Sequence, residues 1–178
     1  MSTNPGLPAG ARAWLLLDVD GVLNVDSSNA AAKRNGLLRL RINASQDGWV
    51  YTMHLHTWVG AAVARYPLLA PAWCTTWQGD VHAGRVSIAG GSGFRDGLPI
   101  VDLDYYVNDP AASKVDGIAE FVGADPFIWI DDDPRHDDLD RLAVMPGPSL
   151  FIRTDPTIGI EPAHLERAAS WAAGLDPS

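Results

Sequence analysis

The sequence predicts an α/β fold with a central parallel sheet covered on both faces. Two observations carry this. Short apolar runs recur along the chain, and Leu15-Leu16-Leu17 and Phe127-Ile128-Trp129-Ile130 both end in aspartates. Segments with helical spacing lie between the runs, and strands that alternate with helices form parallel sheets buried on both sides. In open sheets of this kind ligands bind beyond the C-terminal strand ends, where these aspartates fall.

The chain has 178 residues and is 47% hydrophobic, which is enough to bury a core within one domain over 1–178. Its formal net charge of −9 argues against a general nucleic-acid binder and an anionic membrane surface, but leaves a local basic patch open. A lone cysteine, Cys74, excludes an intramolecular disulfide framework and suits a reducing cytoplasm. Residues 1–13 are rich in Pro, Gly and Ala, and the apolar run at 14–17 is too short for a secretory leader. No stretch reaches transmembrane length. No internal repeat is visible.

Taken in order, residues 1–12 read as a loose N-terminal arm and 13–18 as the first strand. Residues 25–36 are polar and loop-like. Leu38-Arg39-Leu40-Arg41-Ile42 alternates with period two and Trp49 to Met53 is rich in strand formers, so 37–54 reads as a hairpin flap turning at Asn43 to Gly48. Trp58, Val59, Ala62, Val63 and Tyr66 give a helix over 57–66 that Pro67 ends. Leu68 to Thr75 reads as a second strand, with Pro71 marking its start. Gly90-Gly91-Ser92-Gly93 suggests a mobile loop, and Leu98 to Leu103 a third, edge strand. Ser113 is placed to cap a helix whose apolar face is Val115, Ile118, Ala119 and Val122, closed by Gly123. A short helix over 137–144, a strand at Leu150 to Arg153 and a helix beginning at Pro162 complete the chain.

Asp18-Val19-Asp20-Gly21 closes the first strand. Two carboxylates held together repel unless a cation joins them, and a hard ion such as Mg²⁺ takes oxygen ligands. One carboxylate can then attack an electrophile while the other handles a proton. Asp and Gly are also ordinary turn formers, so the spacing alone does not decide. Further strand ends and helix starts add Thr75/Thr76, Lys114 and Asp131/Asp132. A parallel sheet gathers such ends at one edge, where they supply a nucleophile, metal ligands and donors for phosphoryl oxygens.

The order Asp-x-Asp-Gly-Val, strand-Thr, Lys, strand-Asp-Asp resembles the haloacid dehalogenase (HAD) superfamily of phosphohydrolases. Within it, Leu-Asp-Val-Asp-Gly-Val-Leu-Asn, Trp-Cys-Thr-Thr-Trp and Ile-Arg-Thr-Asp-Pro-Thr-Ile-Gly are similar to the HAD domain of bacterial Swiss-Army-knife RNA-repair proteins, over roughly 14–175. The resemblance implies a three-layer Rossmann-like HAD core and a Mg²⁺-dependent phosphatase working through an aspartyl-phosphate. It makes Asp18 the nucleophile and a metal ligand. Asp20 becomes the general acid and then base, with its backbone carbonyl on the metal. Thr75, or its neighbour Thr76, donates to the phosphoryl group, Lys114 neutralises charge, and Asp131 and Asp132 hold the metal.

Plainer readings stand beside these. Lys114 falls in a first helical turn, an unfavourable place for a cation given the helix dipole; taken alone it reads as a surface lysine, and the motif order of the resemblance favours a role in the site. Asp133, Asp137, Asp138 and Asp140 read as a solvated acidic face. His54 and His56 have metal-like spacing but no third ligand nearby, and read as structural. Gly90 to Gly93 lacks the Gly-Lys-Ser/Thr of a phosphate loop. Trp77 either stacks on a substrate base or packs in the core.

No large cap domain fits between these motifs, so the site should be open and suited to an extended substrate. Lys33, Arg34, Arg39 and Arg41 form a basic cluster in the flap region, fit to hold a nucleic-acid backbone near a phosphorylated end. Arg39 and Arg41 are equally explained as the solvent face of a hairpin. The expected substrate is a nucleic-acid end, a nucleotide or a small phosphomonoester. The rival readings are a catalytically silent metal- or phosphate-binding module, and a phosphotransferase with an acceptor other than water.

Overall fold

A computed structural model of the chain describes residues 4–44, 49–77, 82–95, 97–103, 112–135 and 137–176. Its centre is β1 (Ala13–Leu17), whose five residues are all buried because strands flank it on both sides. The sheet order is β4 (Leu69–Trp73), β1, β5 (Phe127–Asp131), β6 (Ser149–Arg153), and every pairing is parallel.

Alternation along β1 divides the core. Ala13, Leu15 and Leu17 face one side, with Ile128 and Ile130 of β5. That layer holds α2 (Val59–Val63), α3 (His82–Gly91) and α6 (Pro162–Ala173). Trp14 and Leu16 face the other, with Phe127 and Trp129. There α4 (Lys114–Val122) contributes Val115, Ile118, Phe121 and Val122, and α5 (Asp138–Leu142) contributes Leu142. This is a three-layer, Rossmann-like α/β arrangement.

A separate antiparallel hairpin joins β2 (Leu38–Ala44) to β3 (Trp49–Leu55). It is the expected flap, slightly longer than the alternating pattern indicates. The turn expected at Asn43 to Gly48 lies largely outside the described residues. Asn24 and Val25, just past the Asp motif, hold the far side of β3: His54 N–H donates to Asn24 Oδ1 (2.9 Å) and Val25 N–H to the His54 carbonyl (2.9 Å). The flap is thereby fastened to the loop after β1.

Several local expectations are corrected. Within the stretch read as a loop, α1 (Asn29–Arg34) forms, because Ser28 Oγ accepts the Ala31 N–H (3.3 Å) and caps it. The helix at 57–66 shrinks to α2 with caps on either side. Pro71 lies inside β4 rather than at its start. Cys74 N–H donates inward to the Leu17 carbonyl and Trp73 N–H outward to the Pro99 carbonyl. By alternation the missing N–H of Pro71 falls on the outer edge, where an edge strand tolerates it. The segment at 98–103 makes only an isolated bridge, Ile100 to Trp73, instead of a strand.

Gly90 and Gly91 belong to α3, not to a mobile loop. Gly84 and Gly91 of this helix allow close packing on the hairpin, while Gly90 faces open space. A Cβ on Gly91 would come within 2.9 Å of Leu55, and one on Gly84 within 2.9 Å of Ile42. The N-terminal arm lacks helix and strand over 4–12, yet it is tied down. Asn4 Nδ2 donates to the Val122 carbonyl (3.0 Å) and Arg12 Nη1 to the Leu175 carbonyl (3.0 Å).

Candidate active site

β1 and β5 are adjacent and parallel, so Asp18 and Asp131 emerge side by side at their C-terminal ends. Between them lies the Lys114 ammonium, 2.6 Å from Asp18 Oδ2 and 2.7 Å from Asp131 Oδ2. All three side chains are buried. Lys114 is the first residue of α4, fixed by the Ser113 cap, whose Oγ accepts the Val115 N–H (3.0 Å). Ser113 Oγ in turn donates to Asp138 Oδ1. Asp138 is fully buried and also accepts the Arg135 N–H (2.8 Å), which corrects its expected place on a solvated acidic face. Its task is to anchor the helix start that presents Lys114.

Asp132 completes the cluster. One oxygen from each of Asp18, Asp131 and Asp132 lies within 4.8 Å of the others. At that separation two carboxylates repel by about 3 kcal/mol at an effective dielectric of ~20. The Lys114 ammonium pairs with two of the three, Asp18 and Asp131. Burial, with the Asp18 charge adding to it, pushes Asp131 up to about 7. Burial and the same charge also raise Asp132. Burial alone would lower Lys114, but the charges of Asp18 and Asp131 overcome it and raise the group well above its usual value, so the ammonium persists.

The donor set is all oxygen and holds more negative charge than Lys114 offsets, which is the chemistry a hard divalent cation fits. Asp18, Asp131 and Asp132 could hold Mg²⁺. The Asp20 carboxylate stands outside this group. Gly21 lets the two strand ends close: its φ of +70° disfavours a side chain, and a Cβ there would lie 2.1 Å from Asp132 Cγ. Thr154, at the end of β6, donates its Oγ1 proton to the Gly21 carbonyl (2.9 Å) and pins this turn.

Asp20 is exposed, and each of its oxygens accepts a hydrogen bond. Asn24 Nδ2 donates to Oδ1 (2.7 Å) and Trp77 Nε1 to Oδ2 (2.9 Å). On one side opens a polar cavity of about 710 Å³, lined by Asp20, Asp132, Asn24, Asn29, Thr52 and His54 among others. On the other side is a cavity of about 220 Å³ lined by Asp20, Tyr51, Thr76 and Trp77.

The remaining expected residues fall as follows. Thr75 is fully buried, with Oγ1 3.4 Å from the Trp77 N–H, while Thr76 is exposed in the smaller cavity. Trp77 is buried and engaged with Asp20, which accounts for its place better than free stacking on a substrate. Arg39 and Arg41 are exposed and outside the carboxylate cluster, but they pair in register with His54 and Thr52 of the larger cavity's wall. His54 and His56 have separate partners, Asn29 Oδ1 (2.9 Å) and the Ile158 carbonyl (2.8 Å). Cys74 is buried, and burial holds its thiol well above its usual pKa.

Sequence reasoning missed Asn24, Trp129, Asp138 and Thr154. Trp129 Nε1 donates to Asp131 Oδ2 (3.2 Å), a contact that strand alternation two residues upstream makes possible. Nothing in the acidic run distinguishes Asp138 from its solvated neighbours.

No family model and no curated protein matches the chain. Among solved structures the chain is similar to Fcp1, described as an essential RNA polymerase II CTD phosphatase. Identity is 13% and the TM-score 0.44, over 92% of this chain and 48% of that one, so the chain spans about half of that structure. The resemblance to HAD phosphohydrolases therefore rests on the motif residues and on where the fold places them.

Proposed function

We propose that this chain is a Mg²⁺-dependent phosphomonoesterase that works through an aspartyl-phosphate on Asp18. The observation that carries this reading is the Lys114 ammonium seated between Asp18 and Asp131, with Asp132 completing an oxygen cluster at the strand ends. Bound Mg²⁺ supplies positive charge that lets an anionic phosphoryl group approach these carboxylates. Asp18 attacks phosphorus, and Lys114 offsets charge on Asp18 and on the phosphoryl oxygens. Asp20 protonates the departing ester oxygen and then takes a proton from the attacking water. Thr75 or Thr76 donates to a phosphoryl oxygen.

For the substrate we favour a nucleic-acid end or a nucleotide. Arg39 and Arg41 support this, since they are exposed on the strand beside Thr52 and His54. Lys33 and Arg34 in the last turn of α1 extend the basic surface. Among the described residues no helix is long and apolar enough to cross a membrane.

Release of phosphate from an aryl phosphate tests the reaction. Wild type with Mg²⁺ should turn over, and Asp18→Asn and a chelated sample should not. Silence of the wild type across aryl, nucleotide and end-phosphorylated oligonucleotide substrates, with Mg²⁺ bound, would favour a binding module. Dependence of phosphate release on an added alcohol would favour a phosphotransferase. Charge reversal of Arg39 and Arg41 should weaken action on a phosphorylated oligonucleotide, and unchanged activity there removes the nucleic-acid reading.

A further inference from the structure

Asp20 stands on the ridge between two cavities, and its two oxygens are held from opposite sides. Asn24, which holds Oδ1, lines the larger cavity, and Trp77, which holds Oδ2, lines the smaller. An exposed carboxyl on a loop has free rotation about χ1 and χ2 unless something fixes it. Here one bond to each oxygen fixes both torsions. Each oxygen has two lone-pair sites, so accepting one bond leaves a site open for a proton or a water.

Trp77 is itself locked. Its ring meets Tyr51 of the hairpin edge to face, with centroids 5.3 Å apart, and lies against Gly84 of α3. Arg85 Nη1 donates to its carbonyl (2.9 Å). Asn24 is locked as well, because its Oδ1 accepts the His54 N–H. Both donors thus sit on loops at the C-terminal ends of sheet strands, Asn24 after β1 and Trp77 after β4, and are braced by the hairpin and by α3.

The geometry points to Trp77 as a positioning residue: its indole N–H orients the Asp20 carboxyl so that the proton is delivered into the larger polar cavity, where the leaving group sits. This rests on the phosphatase reading above. In the first step the Asp18 oxygen forms a bond to phosphorus and the phosphorus–ester oxygen bond breaks. The ester oxygen takes the Asp20 proton and leaves as an alcohol. In the second, water attacks the aspartyl-phosphate, its proton goes to Asp20, and phosphate and the Asp18 carboxylate are regenerated. Proton delivery matters most when the leaving alcohol is a poor leaving group, so a fault in aiming Asp20 should be selective for such esters.

The test compares kcat for an alkyl phosphate and for dinitrophenyl phosphate, which needs little proton assistance. Wild type, Trp77→Phe, Asp20→Asn and the double variant are measured with Mg²⁺. Phe keeps the ring and removes the N–H. Trp77→Phe is expected to lose at least about tenfold more on the alkyl ester than on the dinitrophenyl ester, and Asp20→Asn to show the same selectivity more strongly. Adding Trp77→Phe to Asp20→Asn should add no further selectivity, since the tryptophan acts through the carboxyl. Both esters are measured on the same preparation, so a lower folded fraction cancels from the ratio. Equal losses on the two esters, or selectivity that multiplies in the double variant, would overturn the assignment of Trp77 while leaving Asp20 as the acid. Absence of selectivity in Asp20→Asn removes the acid itself, and the proposal with it.

Discussion

Asp18 and Asp20 are two residues apart, yet they are built into different parts of the molecule. Asp18 is buried at the end of the central strand, and its Oδ2 faces Lys114 from the opposite layer. Asp20 is exposed, and its partners belong to the loop after β1 and to the hairpin side. The first carboxylate is held by Lys114 at the sheet's edge, the second by loop residues that the hairpin packs against. On the proposed reading, a rigid strand end suits a group that holds a metal and attacks in line. On the same reading, a group that meets the leaving alcohol is better placed at the boundary of a more open surface.

The largest effect should come from the sheet side. Asp18→Asn should lower phosphate release at least about a thousandfold, because an amide cannot take the proposed nucleophile's part. Steady-state assays with matched Mg²⁺ check this. Lys114→Met should follow. It leaves Asp18 and Asp131 buried without their shared cation, and breaking such a pair costs about 3–5 kcal/mol. Urea unfolding of the chelated protein should show that loss, and Mg²⁺ should restore part of it. An unchanged midpoint would mean that the carboxylates were not held by Lys114.

Gly21→Ala should be smaller. The positive φ costs about 1–2 kcal/mol for a residue with a side chain. The new methyl must also displace Asp132, so the Mg²⁺ concentration for half-maximal activity should rise about tenfold. A variant with wild-type Mg²⁺ dependence would remove Asp132 from the metal-holding set.

The mildest test is pH. Asp131 is raised to about 7 by burial and the Asp18 charge. An unfolded aspartate titrates near ~3.9. Between these values the folded state binds the extra proton, so stability falls as pH rises from about 4 to about 7. Thermal unfolding of the chelated protein should show this fall, and saturating Mg²⁺ should flatten or reverse it. Stability that rises across the same window would contradict the assignment of Asp131 to a charge-crowded site.

The contrast between the two aspartates also explains what could be read in advance. Asp18, Lys114, Asp131 and Asp132 were legible because strand ends and a capped helix start are local signals, and a parallel sheet brings strand ends together. The hairpin was legible from the period-two pattern at 38–42. The bonds to Asp20 were not: β4 carries Trp77 to the site's edge, but its indole is turned by packing against Gly84 of α3 and Tyr51 of the hairpin. That packing is enabled by Gly84 and Gly91, and glycines in sequence suggest a loop before they suggest a tight helix contact. Asp138 was hidden for a similar reason. Its burial follows from meeting Ser113, a contact between two helices that no run of acidic residues announces.

The central claim is that Asp18 carries the phosphoryl group during turnover. Acid quenching of the protein in the steady state with Mg²⁺ and an aryl phosphate, followed by intact-mass measurement and peptide mapping, tests it most directly. A phosphoryl adduct on the peptide containing Asp18, absent when Mg²⁺ is chelated, is the predicted result. Undiminished turnover by Asp18→Asn protein, with no adduct on that peptide in the wild type, would contradict it.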